Sequence, residues 1–250
     1  MDIASLGAAA AAARLVSSRA NARSDVDPVA QAFQKADQRV QQQRDVVSVQ
    51  LSAFGRIKSS FSDTQVASRA FSDTKQTATD ADIKKAASNF VKAFNTAAQT
   101  AKSATTAQGA LADSGRVRLA GNDLRRTVSN DATATSDLKK IGITQQTDGT
   151  LAIDTKKFDA ALKANPDALR STLSSIGQKV DQTATRELAK NGNIGGSVSA
   201  LDNRAKSLES QQVDQQTQAA AVQQLVSAQT TRLNSSLNAG AAAYERIFSI

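Results

Sequence analysis

Residues 27–61 read DPVAQAFQKADQRVQQQRDVVSVQLSAFGRIKSSF, and large apolar side chains recur there at steps of seven. Asp27-Pro28 is a good helix start, because proline fits the first turn of a helix. A step of seven keeps residues on one face of an α-helix, and a long helix needs a partner for that face. The spacing predicts a helix from about Val29 to Ala70, with a seam formed by Phe33, Val40, Val47, Phe54 and Phe61.

A second long helix is predicted after the glycine-rich turn 191–196, from a cap at Ser197 to about Asn238. Its apolar stripe is weak and rich in glutamine, so we expect it to depend on partners. We expect Val222, Val226 and Leu233 to face the seam of the first helix, within or between subunits. The polar residues Asp37, Arg44 and Lys58 fall at the other seam position, which favours a shared multi-helix seam over a tight two-stranded zipper.

Between these helices the periodicity predicts shorter elements. Stripes at three- and four-residue steps indicate helices over about 80–104, 114–130 and 155–164, and one continuing from 166, which Gly177 could interrupt. Two β-prone runs within 141–153 flank Asp148-Gly149, a dipeptide typical of a hairpin turn. Asp154 and Asn165 are expected to cap the two helices that follow.

The predicted fold class is therefore mainly α. We expect long N- and C-terminal helices to form a coiled-coil-like stalk around a small helical body with one β-hairpin. The segments are a disordered or weakly ordered 1–27, a stalk helix 28–79, a central body 80–190, and a C-terminal stalk helix with apolar tail 191–250. The tail side chains Tyr244, Ile247 and Phe248 are expected to contact the protein's own body or another subunit.

Composition excludes many kinds of site. The 250 residues contain no Cys, His or Trp, so thiolate and imidazole catalysis, zinc fingers and disulfides are absent. Acid pairs such as Asp80/Asp82 and Asp25/Asp27 are next-but-one neighbours and point apart on a helix. The sequence therefore predicts no catalytic residue, no metal site and no cofactor, and hence a protein that is not an enzyme.

The formal charge is +8, but basic and acidic residues are interspersed, and the longest basic runs are pairs. Without aromatics among them, nucleic-acid binding is not expected. No apolar run is long enough to span a membrane. The arginines at 14, 19 and 23 are compatible with a transit peptide or with export through an uncleaved N-terminus.

Several segments resemble the bacterial flagellar filament-capping protein family, also called hook-associated protein 2. Residues 90–96, FVKAFNT, are similar to that family's FVxAYN helix. Residues 138–154, LKKIGITQQTDGTLAID, are similar to its LxxIGIxxxxDGTLxLD hairpin, and 156–168 continue in the family pattern. Residues 51–59, LSAFGRIKS, resemble its LSALGRLKS. One departure is large: a β-rich insertion that family members carry before the FVxAYN helix is replaced here by the polar stretch 74–80.

The resemblance implies a secreted structural component of the bacterial flagellum, a short form of the cap that guides flagellin assembly. Its implied partners are itself in a ring-like homo-oligomer, flagellin or hook-junction proteins, and the flagellar export apparatus with an export chaperone. Two alternatives stay open from the residues. One is a cytoplasmic helical export chaperone or adaptor, and the other is a basic nucleic-acid-binding protein or surface adhesin.

Overall fold

The computed structural model of the chain describes residues 28–73 and 77–248. That part holds seven helices and two strands, so the predicted mainly α class with one hairpin is confirmed. The elements in chain order are α1 (Pro28–Ser72), α2 (Asp80–Ala104), α3 (Gly115–Ser129), α4 (Ala132–Lys140), β1 (Ile143–Gln145), β2 (Leu151–Ile153), α5 (Thr155–Ala164), α6 (Pro166–Leu188) and α7 (Asn193–Phe248).

The helix starts follow from capping side chains. Thr79 and Asp82 form a capping box at α2, in which each side chain accepts a hydrogen bond from the other's backbone N–H. Asp154 caps α5 by accepting from Lys157 N–H, and Asn165 caps α6 by accepting from Ala168 N–H. The two caps expected from sequence are therefore present.

The start of α7 differs from the expectation. The helix begins at Asn193 rather than at Ser197, whose hydroxyl donates to the Asn193 carbonyl at 2.7 Å from within the first turn. Glycine is needed here for close packing, because a Cβ on Gly195 would lie 2.2 Å from the Ala189 carbonyl oxygen. The helix also continues to Phe248, beyond the expected end near Asn238.

Two further expectations need correction. Helix α4 was not expected, since ATATSDLKK contains few apolar residues; Asp131 starts it by accepting from the N–H groups of Thr133 and Ala134. Gly177 does not interrupt α6. It allows α1 to approach, because a Cβ there would lie only 2.6 Å from the Ser68 carbonyl oxygen.

The chain divides into two compact units. The terminal unit comprises Met1–Asp45 and Lys206–Ile250, and its described residues are 28–45 and 206–248. The central unit comprises Val46–Ala205. Helices α1 and α7 each contribute residues to both units.

The central unit is built on an apolar core that includes the second half of α1. The rings of Phe71 and Phe90 are stacked, with centroids 4.2 Å apart and planes 6° from parallel. Phe94 lies 6.1 Å from Phe90 in a tilted arrangement. These rings, together with Phe61 and Phe158, are almost completely buried in the core cluster. Such close packing of scarce aromatics holds the helices around them.

The two strands form an antiparallel hairpin whose register pairs Ile143 with Ile153 and Gln145 with Leu151. Ile143 and Leu151 are buried, so one side of the hairpin joins the core. An isolated two-stranded hairpin is marginal in water. Contacts with α2 and α4 therefore stabilise it.

Candidate assembly site

The seam of the terminal unit brings together two of the side chains expected to meet. Phe33 of α1 and Val222 of α7 line one shallow groove with Val29, Ala30 and Ala219. Both Phe33 and Val222 are half-buried. The two helices run antiparallel here, since α1 residues before Arg44 meet α7 residues after Gln212. Gln34 and Gln223 also line the groove, and its other lining side chains are apolar and could pack against a further apolar side chain.

A polar network crosses the same seam. The Arg44 guanidinium donates to the Gln212 side-chain oxygen, and the Gln212 amide donates to Asp37 at 3.2 Å. These side chains occupy positions where a tight coiled coil would place leucine. Asp37 and Arg44, which interrupt the sequence stripe, therefore contribute hydrogen bonds between the helices. Such polar seam contacts fix register at the expense of hydrophobic stabilisation.

Beyond Val222 the apolar stripe of α7 is exposed. Val226 and Leu233, two expected seam residues, are 42% and 60% exposed, and Leu225 is 70% exposed. Leu237, one turn further on, is 49% exposed. No described residue of the terminal unit covers this stretch. An amphipathic stripe left in water at this length is a candidate assembly surface.

The remaining seam residues on α1 are buried. Val40 belongs to the terminal unit and is 3% exposed. Val47, Phe54 and Phe61 belong to the central unit, where Phe54 and Phe61 join the core cluster. The structure thus pairs Phe33 with Val222, whereas Phe54 and Phe61 pack inside the central unit. Their proposed part in assembly stays a prediction.

The hairpin turn is closed by the two residues expected there. The Asp148 carboxylate accepts from the Thr150 hydroxyl at 2.6 Å and from its N–H at 2.9 Å, and these bonds hold the Asp148 pKa below its usual value. Gly149 has a φ of 85°, a conformation that favours glycine. A Cβ there would also collide with the Arg125 side chain of α3. The arrangement fixes the turn.

Asn95 is a positioning residue for which the sequence predicted no role. Its side-chain amide donates to the Leu151 carbonyl at 2.8 Å, and its oxygen accepts from Leu151 N–H at 2.6 Å. The amide therefore behaves like a neighbouring strand and joins the hairpin to α2. A polar residue on the inner stripe of α2, between Phe94 and Ala98, was the available signal.

The expected tail contacts lie outside what can be described. The backbone of α7 is described to Phe248, but the side chains of Tyr244, Ile247 and Phe248 fall outside the described set. Asp25 and Asp27 lie outside it too, as does the segment 1–27 to which they belong.

The described residues offer little that resembles catalytic machinery. Asp80 and Asp82 are exposed, and Asp82 is engaged in the α2 capping box, which lowers its pKa through the bonds from Thr79. Within residues 28–73 and 77–248, no group of three or more acidic side chains is placed to hold a metal ion. None of the helices described there combines the length and apolarity needed to cross a membrane.

Comparison with known proteins adds to this geometry. The family model described as "Flagellar hook-associated protein 2 C-terminus" matches residues 72–239. Among solved structures, the chain is similar to the flagellar cap protein FliD D1-D2-D3 domains from Escherichia coli, at 27% identity and a TM-score of 0.43. The similarity covers 50% of this chain and 37% of that chain, so this protein spans little more than a third of the solved relative. No curated protein matches the sequence.

Proposed function

Because the chain belongs to the flagellar hook-associated protein 2 family, we propose that it is a structural component of the bacterial flagellum that caps the filament and guides flagellin assembly. The observation that carries this proposal is the family match over residues 72–239, which contains α2 to α6 and most of α7. The hairpin with the DGT turn lies inside that match.

Self-assembly through the terminal helices is the mechanism that the terminal unit supports. Helix α7 exposes an apolar stripe formed by Leu225, Val226, Leu233 and Leu237. Burial of this stripe lowers the free energy only when another helix covers it. A second copy in a ring-like homo-oligomer supplies such a helix. Flagellin or a hook-junction subunit supplies one at the filament end.

The mechanism uses binding rather than catalysis. Polar contacts at Asp37, Arg44 and Gln212 set the register of the two helices, while the apolar stripe provides affinity for the partner. The central unit keeps its own core and presents the hairpin on a fixed base. Before assembly, a chaperone covers the apolar stripe in the cell. The protein then reaches the flagellum through the export apparatus.

Immunogold labelling of intact filaments tests the location. We expect label at the filament tip or at the junction with the hook, and protein in the sheared filament fraction. A protein confined to the cytoplasm and absent from culture supernatant would instead identify an export chaperone or adaptor, and the structural proposal would be wrong.

A matched pair of variants tests the assembly surface. Leu233→Asp places a charge on the exposed stripe of α7, and we expect it to leave helical content unchanged while abolishing oligomers in light scattering. Thr231→Asp serves as the control, because Thr231 is exposed but lies on the opposite side of the same helix from the stripe. This variant should assemble normally. Equal assembly by both variants would remove this stripe from the mechanism.

A further inference from the structure

Two lysine pairs that are far apart in sequence meet at the base of the hairpin. Lys139 and Lys140 end α4, and Lys156 and Lys157 begin α5. A short chain of hydrogen bonds joins them: Gly142 N–H donates to the Lys139 carbonyl at 3.2 Å, and Asp154 N–H donates to the Gly142 carbonyl at 2.7 Å. A Cβ on Gly142 would lie 2.9 Å from the Lys157 Cβ. The hairpin therefore turns two separate pairs into one basic patch.

The basic patch, meaning Lys139, Lys140, Lys156 and Lys157, carries more positive charge than its surroundings neutralise. All four side chains are exposed. Asp137 pairs with Lys140 at 2.8 Å, and Asp154 lies 3.9 Å from Lys157. Within the described residues Lys139 and Lys156 make no salt bridge. The patch therefore has four ammonium groups and only two carboxylates that pair with them.

A partly apolar groove borders the patch. It lies between α4, α5 and α6, and Lys140 and Asp137 line it together with apolar side chains such as Ile141, Ala161 and Ala168. Small side chains line the α5 and α6 walls, which leaves room for an incoming side chain. Lysines beside apolar side chains allow a peptide to place its carboxylates on the ammonium groups and its apolar side chains in the groove.

We propose that the basic patch and its groove dock an acidic segment of a partner protein. Carboxylates of that segment pair with Lys139 and Lys156, and an apolar side chain enters the groove. The nearby Phe158 ring is buried and cannot stack on a base, as single-stranded nucleic acid would require. A protein partner is therefore favoured over a nucleic acid. The inference is independent of the proposed capping role.

Binding of labelled poly-L-glutamate to the full chain, followed by fluorescence anisotropy, tests the surface. We expect Lys139→Gln, Lys140→Gln, Lys156→Gln and Lys157→Gln together to weaken binding about tenfold and to reduce its dependence on salt. The matched control makes the same change at four other exposed lysines, Lys58, Lys92, Lys102 and Lys190. The control should keep most of the affinity.

Two results would overturn the proposal. One is an equal loss in the control, which would mean that only net charge matters. The other is tighter binding of single-stranded poly-dT through the same four lysines, which would assign the patch to nucleic acid. A second variant acts in the opposite direction: Asp137→Asn with Asp154→Asn should strengthen poly-L-glutamate binding, because asparagine keeps the α5 cap and removes the repulsion. Unchanged or weaker binding in that variant would contradict the assignment.

Discussion

The central and terminal units use the same helical periodicity in opposite ways. In the central unit, the stripes of α1 and α2 contain fully buried rings, and Phe71 of α1 stacks on Phe90 of α2. In the terminal unit, the stripe of α7 passes from the buried Leu208 through Gln212 and Ala219 to exposed leucine and valine. Periodicity alone therefore says where a helix lies. What fills the stripe decides whether the helix is stable alone or needs a partner.

The size of the difference can be judged from burial. A leucine contributes about 1.5–3 kcal/mol only when it is fully buried. Leu233 is 60% exposed, so less than half of its surface has left water. Each core aromatic, by contrast, has already contributed in full.

Phe61→Ala should produce the largest loss. The side chain is completely buried, and its removal leaves a cavity, so the free energy of unfolding should fall by about 3–5 kcal/mol. Urea titration followed by circular dichroism measures the change. Leu233→Ala, in the terminal unit, should change it by less than about 0.5 kcal/mol. Similar losses at both sites would erase the contrast between the units.

Gly177→Ala tests how tightly the helices of the central unit pack. The new Cβ would lie 2.6 Å from the Ser68 carbonyl oxygen and 2.9 Å from the Ser72 nitrogen, both backbone atoms that cannot move alone. We expect a loss of about 1–3 kcal/mol in unfolding free energy. Gly55→Ala is the control, because nothing lies within 4 Å of its added Cβ. It should be neutral or stabilising through helix propensity, by up to about 1 kcal/mol.

Asn95→Ala tests the connection between α2 and the hairpin. It removes two hydrogen bonds and leaves the Leu151 N–H and carbonyl without partners, for an expected loss of about 1–2 kcal/mol. Amide hydrogen exchange at Leu151 should quicken. Thr96→Ala removes only a hydroxyl bonded within its own helix and should leave that exchange unchanged. If Leu151 remains equally protected in the Asn95 variant, the hairpin is held by packing alone.

Asp131→Asn should have the smallest effect, a slight loss of stability at neutral pH that disappears in acid. The hydrogen bond from Lys179, followed by the bond from Ala134 N–H, lowers the Asp131 pKa in the folded state. A lowered folded-state pKa stabilises the fold above the ordinary carboxyl pKa, near 4, and that contribution is lost as the pH falls through the folded value. Asparagine still caps α4 but carries no charge. The variant should therefore lose less stability than the unchanged protein when urea titrations are repeated below about pH 4.

Asp63→Asn is the control for this titration. Asp63 is exposed and makes no salt bridge or hydrogen bond among the described residues. Its replacement should leave the acid dependence as it was. A parallel change in both variants would show that overall charge, rather than the Lys179 contact, governs stability in acid.

Much of the fold could be predicted from the sequence because local signals agree with tertiary packing. The seven-residue steps of α1, the DGT turn and the caps at Asp154 and Asn165 act over a few residues. Helix α4 was missed because Leu138 and Ala134 are its only buried residues. The α7 start was misplaced because glycine usually marks a turn, whereas here Gly195 serves a close helix approach.

The candidate sites could be predicted less completely, since they depend on residues distant in sequence. The meeting of Phe33 and Val222 follows from pairing two stripes. Burial of Phe54 and Phe61 within the central unit does not, because a stripe does not identify its partner. The basic patch depends on hairpin geometry that brings residues 139–140 beside 156–157. The role of Asn95 could not be predicted, because it depends on the strand edge at Leu151 that its side chain contacts.

The stacked rings of Phe71 and Phe90 also have a consequence for insertions between α1 and α2. They hold the end of α1 against α2, across the short connection Asp73–Thr79, with a core contact that belongs entirely to the central unit. Neither ring belongs to that connection, so a segment inserted there would leave this contact in place. The family resemblance implies a β-rich insertion at this point in other members. We therefore expect that a segment added between α1 and α2 changes the surface of the protein and leaves the ring contact as it is.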